Sequence, residues 1–121
     1  QVLICDTSPL TTLFYSMQMF DRASDKLSNL AFRSMSAYDA VYLCDGDIPF
    51  DQDGTRRDPE FRNLAFNFYS DMYRDMPLLI VKGTVRNRVK MVLGDLMAKG
   101  LLHNKSTMCY NEVQRDRLSI A

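Results

Sequence analysis

Val2-Leu3-Ile4-Cys5-Asp6 and, further along, Ala40-Val41-Tyr42-Leu43-Cys44-Asp45 decide the fold. Each is a short apolar run, partly β-branched, that stops at an aspartate. Apolar runs without polar alternation read as strands covered on both faces, the kind found in parallel sheets. A third run, Leu78-Leu79-Ile80-Val81, opens at Pro77 and closes at Gly83. The expected strands are therefore residues 2–5, 40–44 and 78–82.

The segments between them carry helical signals. Ser8-Pro9 pairs a capping residue with proline at the first helical position. Leu10, Leu13, Phe14 and Met17 then recur at helical spacing, which predicts a helix to about Phe20. After a polar break at Asp21 to Ser24, the residues Leu27, Leu30 and Ala31 mark a second short helix ending near Met35. Asp58-Pro59 repeats the cap-plus-proline start ahead of a stripe of Phe61, Leu64, Ala65, Phe68 and Met72. Thr84 caps a last helix whose stripe is Val85, Val89, Val92 and Leu96, and Gly100 is placed to terminate it. Both of these last stripes are expected to face the sheet. Strands alternating with helices imply parallel strands joined by right-handed crossovers. In such sheets ligands gather at the carboxyl ends of the strands. Those ends carry Asp6-Thr7-Ser8, Asp45-Gly46-Asp47 and Gly83-Thr84.

Composition narrows the functional classes. The chain has 121 residues with 15 basic and 15 acidic side chains, so one domain with its own core is expected. Zero net charge removes the simplest case for nucleic-acid or membrane binding. No apolar run approaches the roughly 20 residues of a membrane helix, and no secretory signal opens the sequence. Three scattered cysteines, an odd number, point to a reducing, cytoplasmic setting rather than a disulfide framework. Cys5 and Cys44 are expected to be reduced. The single histidine, His103, has no serine or cysteine partner pattern, and no Cys/His spacing matches a zinc site. Chain positions beyond residue 100 show no strong pattern, so 1–100 reads as the domain and 101–121 as a tail.

Three constellations could carry chemistry. Asp6-Thr7-Ser8-Pro9-Leu10-Thr11-Thr12 places an acid just past a buried strand. There it can hold a metal-bound water, accept a hydroxyl proton or meet a ribose, or it can simply cap the next helix. Asp51-Gln52-Asp53-Gly54-Thr55-Arg56-Arg57, with Arg62 a turn into the next helix, gathers three guanidinium groups suited to a polyphosphate. A solvated turn whose arginines pair with neighbouring aspartates would have the same composition. Asp45-Gly46-Asp47-Ile48-Pro49-Phe50 offers either an apolar wall for a planar ring or a plug that seats the loop.

Taken together, Ile4 to Thr12, Tyr38 to Cys44 and Asp47 to Arg57 resemble the ribosylnicotinamide kinase family of NAD salvage, small P-loop ATPases related to nucleoside kinases. The resemblance runs over roughly residues 1–95, and Tyr38 to Arg62 is its specific part. It implies an α/β fold of the P-loop kinase type, with helices on both faces of a parallel sheet. It also implies ATP and Mg²⁺ as cofactors, a nucleoside as substrate, and no nucleic-acid or membrane partner. By the same resemblance, Asp6 meets the ribose and the attacking hydroxyl, with Thr11, Phe50 and Asp53 beside the substrate. Arg56, Arg57 and Arg62 close over the phosphates, and Gly83 and Thr84 lie on the adenine side.

The family's first strand and its phosphate loop, G-x-x-x-x-G-K-S/T, have no counterpart in these 121 residues. None of Gly46, Gly54, Gly83, Gly94 and Gly100 precedes a Lys-Ser or Lys-Thr pair. The expectation is a carboxyl-terminal part of a longer kinase-like protein, with an upstream domain as a further expected partner. The alternative is a non-catalytic nucleotide-binding or protein-interaction domain derived from that fold.

Overall fold

In the computed structural model, which describes residues 1–47 and 59–103, the elements run α1 (Pro9–Phe20), α2 (Asp25–Met35), β1 (Tyr42–Cys44), α3 (Pro59–Met72), β2 (Leu79–Val81) and α4 (Val85–Ala98). Their starts and stops follow local chemistry. Pro9 opens α1, and the Ser8 N–H donates to Oγ1 of Thr11 at 3.4 Å. Asp21 then takes the left-handed conformation, φ 54°, and ends the helix with its N–H on the Met17 carbonyl. Ser24 caps α2 by accepting the Leu27 N–H at 3.1 Å. At the far end of α4, Gly100 adopts φ +73°. There the Leu101 N–H reaches the Leu96 carbonyl at 2.8 Å and the Gly100 N–H reaches that of Met97 at 3.0 Å. That paired pattern is the glycine-terminated helix stop the sequence signalled.

β1 and β2 are parallel neighbours, with Tyr42 opposite Leu79, Leu43 opposite Ile80 and Cys44 opposite Val81. The ladder extends past both ends, through Leu79 N–H to Val41 O at 3.2 Å and Asp45 N–H to Val81 O at 2.9 Å. The expected parallel relation between the second and third runs is therefore present, in shorter strands than 40–44 and 78–82.

The first run is different. Residues 2–5 form no strand, and Leu3 and Ile4 are 88% and 53% exposed. A strand exists only by hydrogen bonding to a neighbour, and among the described residues β1 and β2 pair only with each other. An apolar sequence supplies faces to bury but not an edge to pair with. Only Val2 of this run packs, partly buried, against α4.

Two clusters make the core. Leu10, Leu13, Ala31, Met35 and Tyr73 form one, joined by Val41, Phe68, Met72 and Leu78. Leu93, Leu96 and Leu102 form the other, joined by Ala40, Tyr42, Val89 and Val92. Val41 thus lies in one cluster and its neighbours Ala40 and Tyr42 in the other, which is the strand alternation of side chains. Helices α1 to α3 serve one side of β1, and α4 serves the other. Phe14, 1% exposed, is tilted against the rings of Phe61, Phe68 and Tyr69 at centroid distances of 5.4, 5.0 and 5.7 Å. Burying such a ring is worth roughly 1.5–3 kcal/mol, so Phe14 pins α1 to α3.

Phe61, Phe68 and Met72 of the α3 stripe and Val89, Val92 and Leu96 of the α4 stripe pack inward as expected, and one residue of each stripe departs. Leu64 on α3 is 51% exposed and Val85 on α4 is 44% exposed, whereas Leu93 and Arg88 are buried. Val85 sits at the first position of α4. Arg88 fills the next turn for a reason that belongs to the strand ends.

Candidate functional site at the carboxyl ends of the strands

Parallel pairing brings the two turns after β1 and β2 side by side. After β1, the Gly46 N–H folds back onto Oδ1 of Asp45 at 2.8 Å. Asp47 then reaches across to the second turn and accepts the Gly83 N–H at Oδ2, 2.7 Å away. Gly83 has φ +92°, and a Cβ there would also stand 3.3 Å from the Asn87 side-chain nitrogen. Both facts call for glycine. Thr84 follows and caps α4 by accepting the Asn87 N–H at 3.2 Å.

Arg88 lies beneath these turns, with a side chain only 10% exposed. Its Nε donates to the Gly83 carbonyl at 2.9 Å, and one terminal nitrogen donates to the Asp45 carbonyl at 3.1 Å. The same nitrogen makes an ion pair with Oδ1 of Asp47. A buried guanidinium needs its donors satisfied, and here two carbonyls and a carboxylate from both turns supply the acceptors.

The sequence-predicted site residues divide into three groups. Arg62, Gly83 and Thr84 lie at these strand ends. Arg62 on α3 runs against the β1 turn, so closely that a Cβ at Gly46 would stand 3.3 Å from its Nε. Asp6 and Thr11 sit at the head of α1. Asp6 is exposed, and among the described residues it joins no hydrogen bond with the turn cluster. Thr11 accepts from Ser8 and stands beside the Tyr69 hydroxyl. Burial raises the Tyr69 hydroxyl above its ordinary range, and the Thr11 hydrogen bond partly offsets that. Phe50, Asp53, Arg56 and Arg57 lie outside the described residues.

Sequence reasoning missed Arg88. Its signal was positional: it falls on the same helical face as Val85, Val89 and Val92. A charge on an apolar stripe five residues after a strand-end glycine marks a side chain returning to that glycine. Among the described residues no cluster of three or more metal-ligating side chains occurs, and Cys5 and Cys44 are exposed free cysteines. Mg²⁺ binding with a nucleotide needs only one or two carboxylates plus the phosphates. Both oxygens of Asp47 are already engaged, by the Gly83 N–H and by Arg88, whereas Asp6 is exposed.

A second polar group stands on the β1 face toward α4. The Tyr42 hydroxyl donates to Oδ2 of Asp95 at 2.6 Å, and Lys99 donates to both oxygens of that carboxylate at 2.6 Å. Burial, then the Asp95 carboxylate, pushes the Tyr42 hydroxyl well above its ordinary range. Lys99, then Tyr42, holds Asp95 below the usual carboxylate range. These residues tie β1 to α4.

Among known proteins, a family model described as AAA domain matches residues 1–88. No curated protein matches the chain, and no solved structure does. The match spans α1 through the first turn of α4, so it takes in both strand-end turns and reaches Arg88. Among the described residues no helix is long and apolar enough to cross a membrane.

Proposed function

The chain belongs to the AAA domain family, a class of P-loop-type nucleotide-binding ATPase domains, and from that premise we propose that it serves an ATP-dependent small-molecule kinase. The substrate class is a nucleoside, with nicotinamide riboside the first candidate from the resemblance of Tyr38 to Arg62. One observation carries the reading: Arg62, Gly83 and Thr84 gather with the Asp45-Gly46-Asp47 turn at the carboxyl ends of two parallel strands. Ligands of open α/β sheets sit at such ends.

In this reading catalysis is positioning plus electrostatics. Asp6 orients the attacking hydroxyl and offers a carboxylate toward Mg²⁺. Arg56, Arg57 and Arg62 stabilise charge on the transferred phosphoryl group, with Phe50, Asp53 and Thr11 on the nucleoside side. Gly83 and Thr84 take the adenine side. Bound ATP supplies the phosphoryl group. Its phosphates need a cradle of the G-x-x-x-x-G-K-S/T type, which these 121 residues do not contain. The reading therefore assigns that cradle to further residues of a longer chain.

The missing motif also favours a second reading, a non-catalytic nucleotide-binding domain. The full-length protein, incubated with Mg-ATP and nicotinamide riboside, separates the two by mass spectrometry of the nucleoside product. Phosphorylated nucleoside supports the kinase. ATP binding by calorimetry without product supports the binding domain. Absence of both overturns the nucleotide reading.

A further inference from the structure

Arg88, Asp47 and Gly83 form a closed ring. The Gly83 N–H donates to Asp47, Asp47 pairs with Arg88, and Arg88 donates back to the Gly83 carbonyl. A further bond from Arg88 to the Asp45 carbonyl ties in the first residue after β1. The ring joins two turns whose strands are only three residues long each, so the strand ladder alone fixes their relative position weakly.

A buried ion pair is an inefficient way to gain stability, since an apolar side chain of similar volume often does as well. Arg88 stands on the apolar face of α4, where such a side chain would fit. The ring does what an apolar residue cannot: it specifies the position and direction of three polar groups. The Arg88 charge is also already met by Asp47, which leaves it unsuited to neutralising a phosphate.

We propose that Arg88 is a positioning residue of the nucleotide site, locking the Asp45–Asp47 turn to Gly83-Thr84 without touching the nucleotide itself. This rests on the nucleotide-binding reading above. With the ring intact, the backbone of Gly83 and Thr84 and the Arg62 side chain beside Gly46 present one fixed surface. With it broken, the two turns move independently and the surface is lost.

The test uses the full-length protein and its Arg88→Met, Arg88→Lys and Asp47→Asn variants. Mg-ATP affinity is measured by calorimetry well below each variant's melting temperature, over a series of salt concentrations. Arg88→Met is expected to weaken Mg-ATP binding about tenfold or more, the scale of losing hydrogen bonds to a charged group. Arg88→Lys is expected to recover part of that loss, because an ammonium keeps the charge but cannot span the same acceptors as the planar fork. Asp47→Asn should fall between wild type and Arg88→Met. The salt dependence of binding should be the same in all four proteins, because no phosphate contact has been removed.

A shallower salt dependence in Arg88→Met would make Arg88 a direct phosphate ligand and overturn the positioning role. Unchanged affinity with a lowered melting temperature would make it a purely structural residue. Should Arg88→Met fail to fold, Arg88→Lys and Asp47→Asn carry the same comparison. A wild type that binds no Mg-ATP overturns the nucleotide reading and this proposal with it, an outcome distinct from normal wild-type binding with insensitive variants.

Discussion

Asp47 and Gly83, 36 residues apart, meet at 2.7 Å through the Gly83 N–H and a carboxylate oxygen of Asp47. The contact is available because Gly83 holds φ +92°, turning its N–H toward the end of β1 while α4 begins at the next turn. A side chain at that φ is strained, and here it would also press on Asn87.

Gly83→Ala should therefore destabilise the protein by about 1–3 kcal/mol, read by urea denaturation. Gly46→Ala is the matched control. The three atoms nearest its Cβ would all belong to the Arg62 side chain, with Nε at 3.3 Å, and Gly46 does not hold a positive φ. Its cost should stay under about 1 kcal/mol. Equal costs at the two positions would contradict the geometry of the second turn.

Tyr42 supplies a pH signature. Its hydroxyl titrates at higher pH in the folded protein than in the unfolded chain, because of burial and the Asp95 carboxylate. The folded state thus holds the proton where the unfolded state releases it, and stability falls as pH rises past the unfolded value of about 10. Below that pH the contribution is fully present. Melting temperatures between pH 8 and about 11 should drop more steeply in wild type than in Tyr42→Phe. Parallel curves would mean that the hydroxyl is neither buried nor held by Asp95 in solution.

Asp95 has the opposite sign. Lys99 and Tyr42 favour its charged form in the folded state, so its contribution is present above the unfolded value of about 3.9 and lost as pH falls below it. Asp95→Asn should flatten that acid limb in a thermal melt series. An unchanged acid limb would place the titrating groups elsewhere.

Thr84 caps α4 at the site's edge, and Thr84→Ala removes the acceptor for the Asn87 N–H. The expected loss is about 1 kcal/mol, measured by chemical denaturation. A loss near zero would show that solvent replaces the cap without cost.

In the full-length protein, Arg56→Ala, Arg57→Ala and Arg62→Ala should each slow phosphoryl transfer more than they weaken nucleoside binding. Charge on the phosphates redistributes only as the bond breaks. Asp6→Asn should damage both binding and turnover, by removing the carboxylate charge and replacing one acceptor oxygen with an NH2 donor. Steady-state kinetics with separate kcat and KM values make the comparison. Arginine variants with normal turnover would reduce the Asp-Gly-Thr-Arg-Arg run to a solvated turn.

The helices, and the ends that carry a capping residue or glycine, were legible in the local sequence. Ser8-Pro9, Ser24, Thr84 and Gly100 act within a few residues of themselves, so their capping chemistry is complete in the local sequence. It also marked the runs ending at Cys44 and Val81 as parallel strands, and the turns after them as the place for a site. Features that need a distant partner were not legible locally. Val2 to Cys5 has the composition of a strand, but a ladder requires a neighbouring edge, and no pattern within the run can supply one. Leu64 and Val85 face outward and Arg88 inward, although each shares a helical face with residues that pack the other way. Arg88 shows the reason most directly: its acceptors on Asp45 and Asp47 lie 43 and 41 residues away. Periodicity along one helix cannot report a bond whose other half is set by strand pairing.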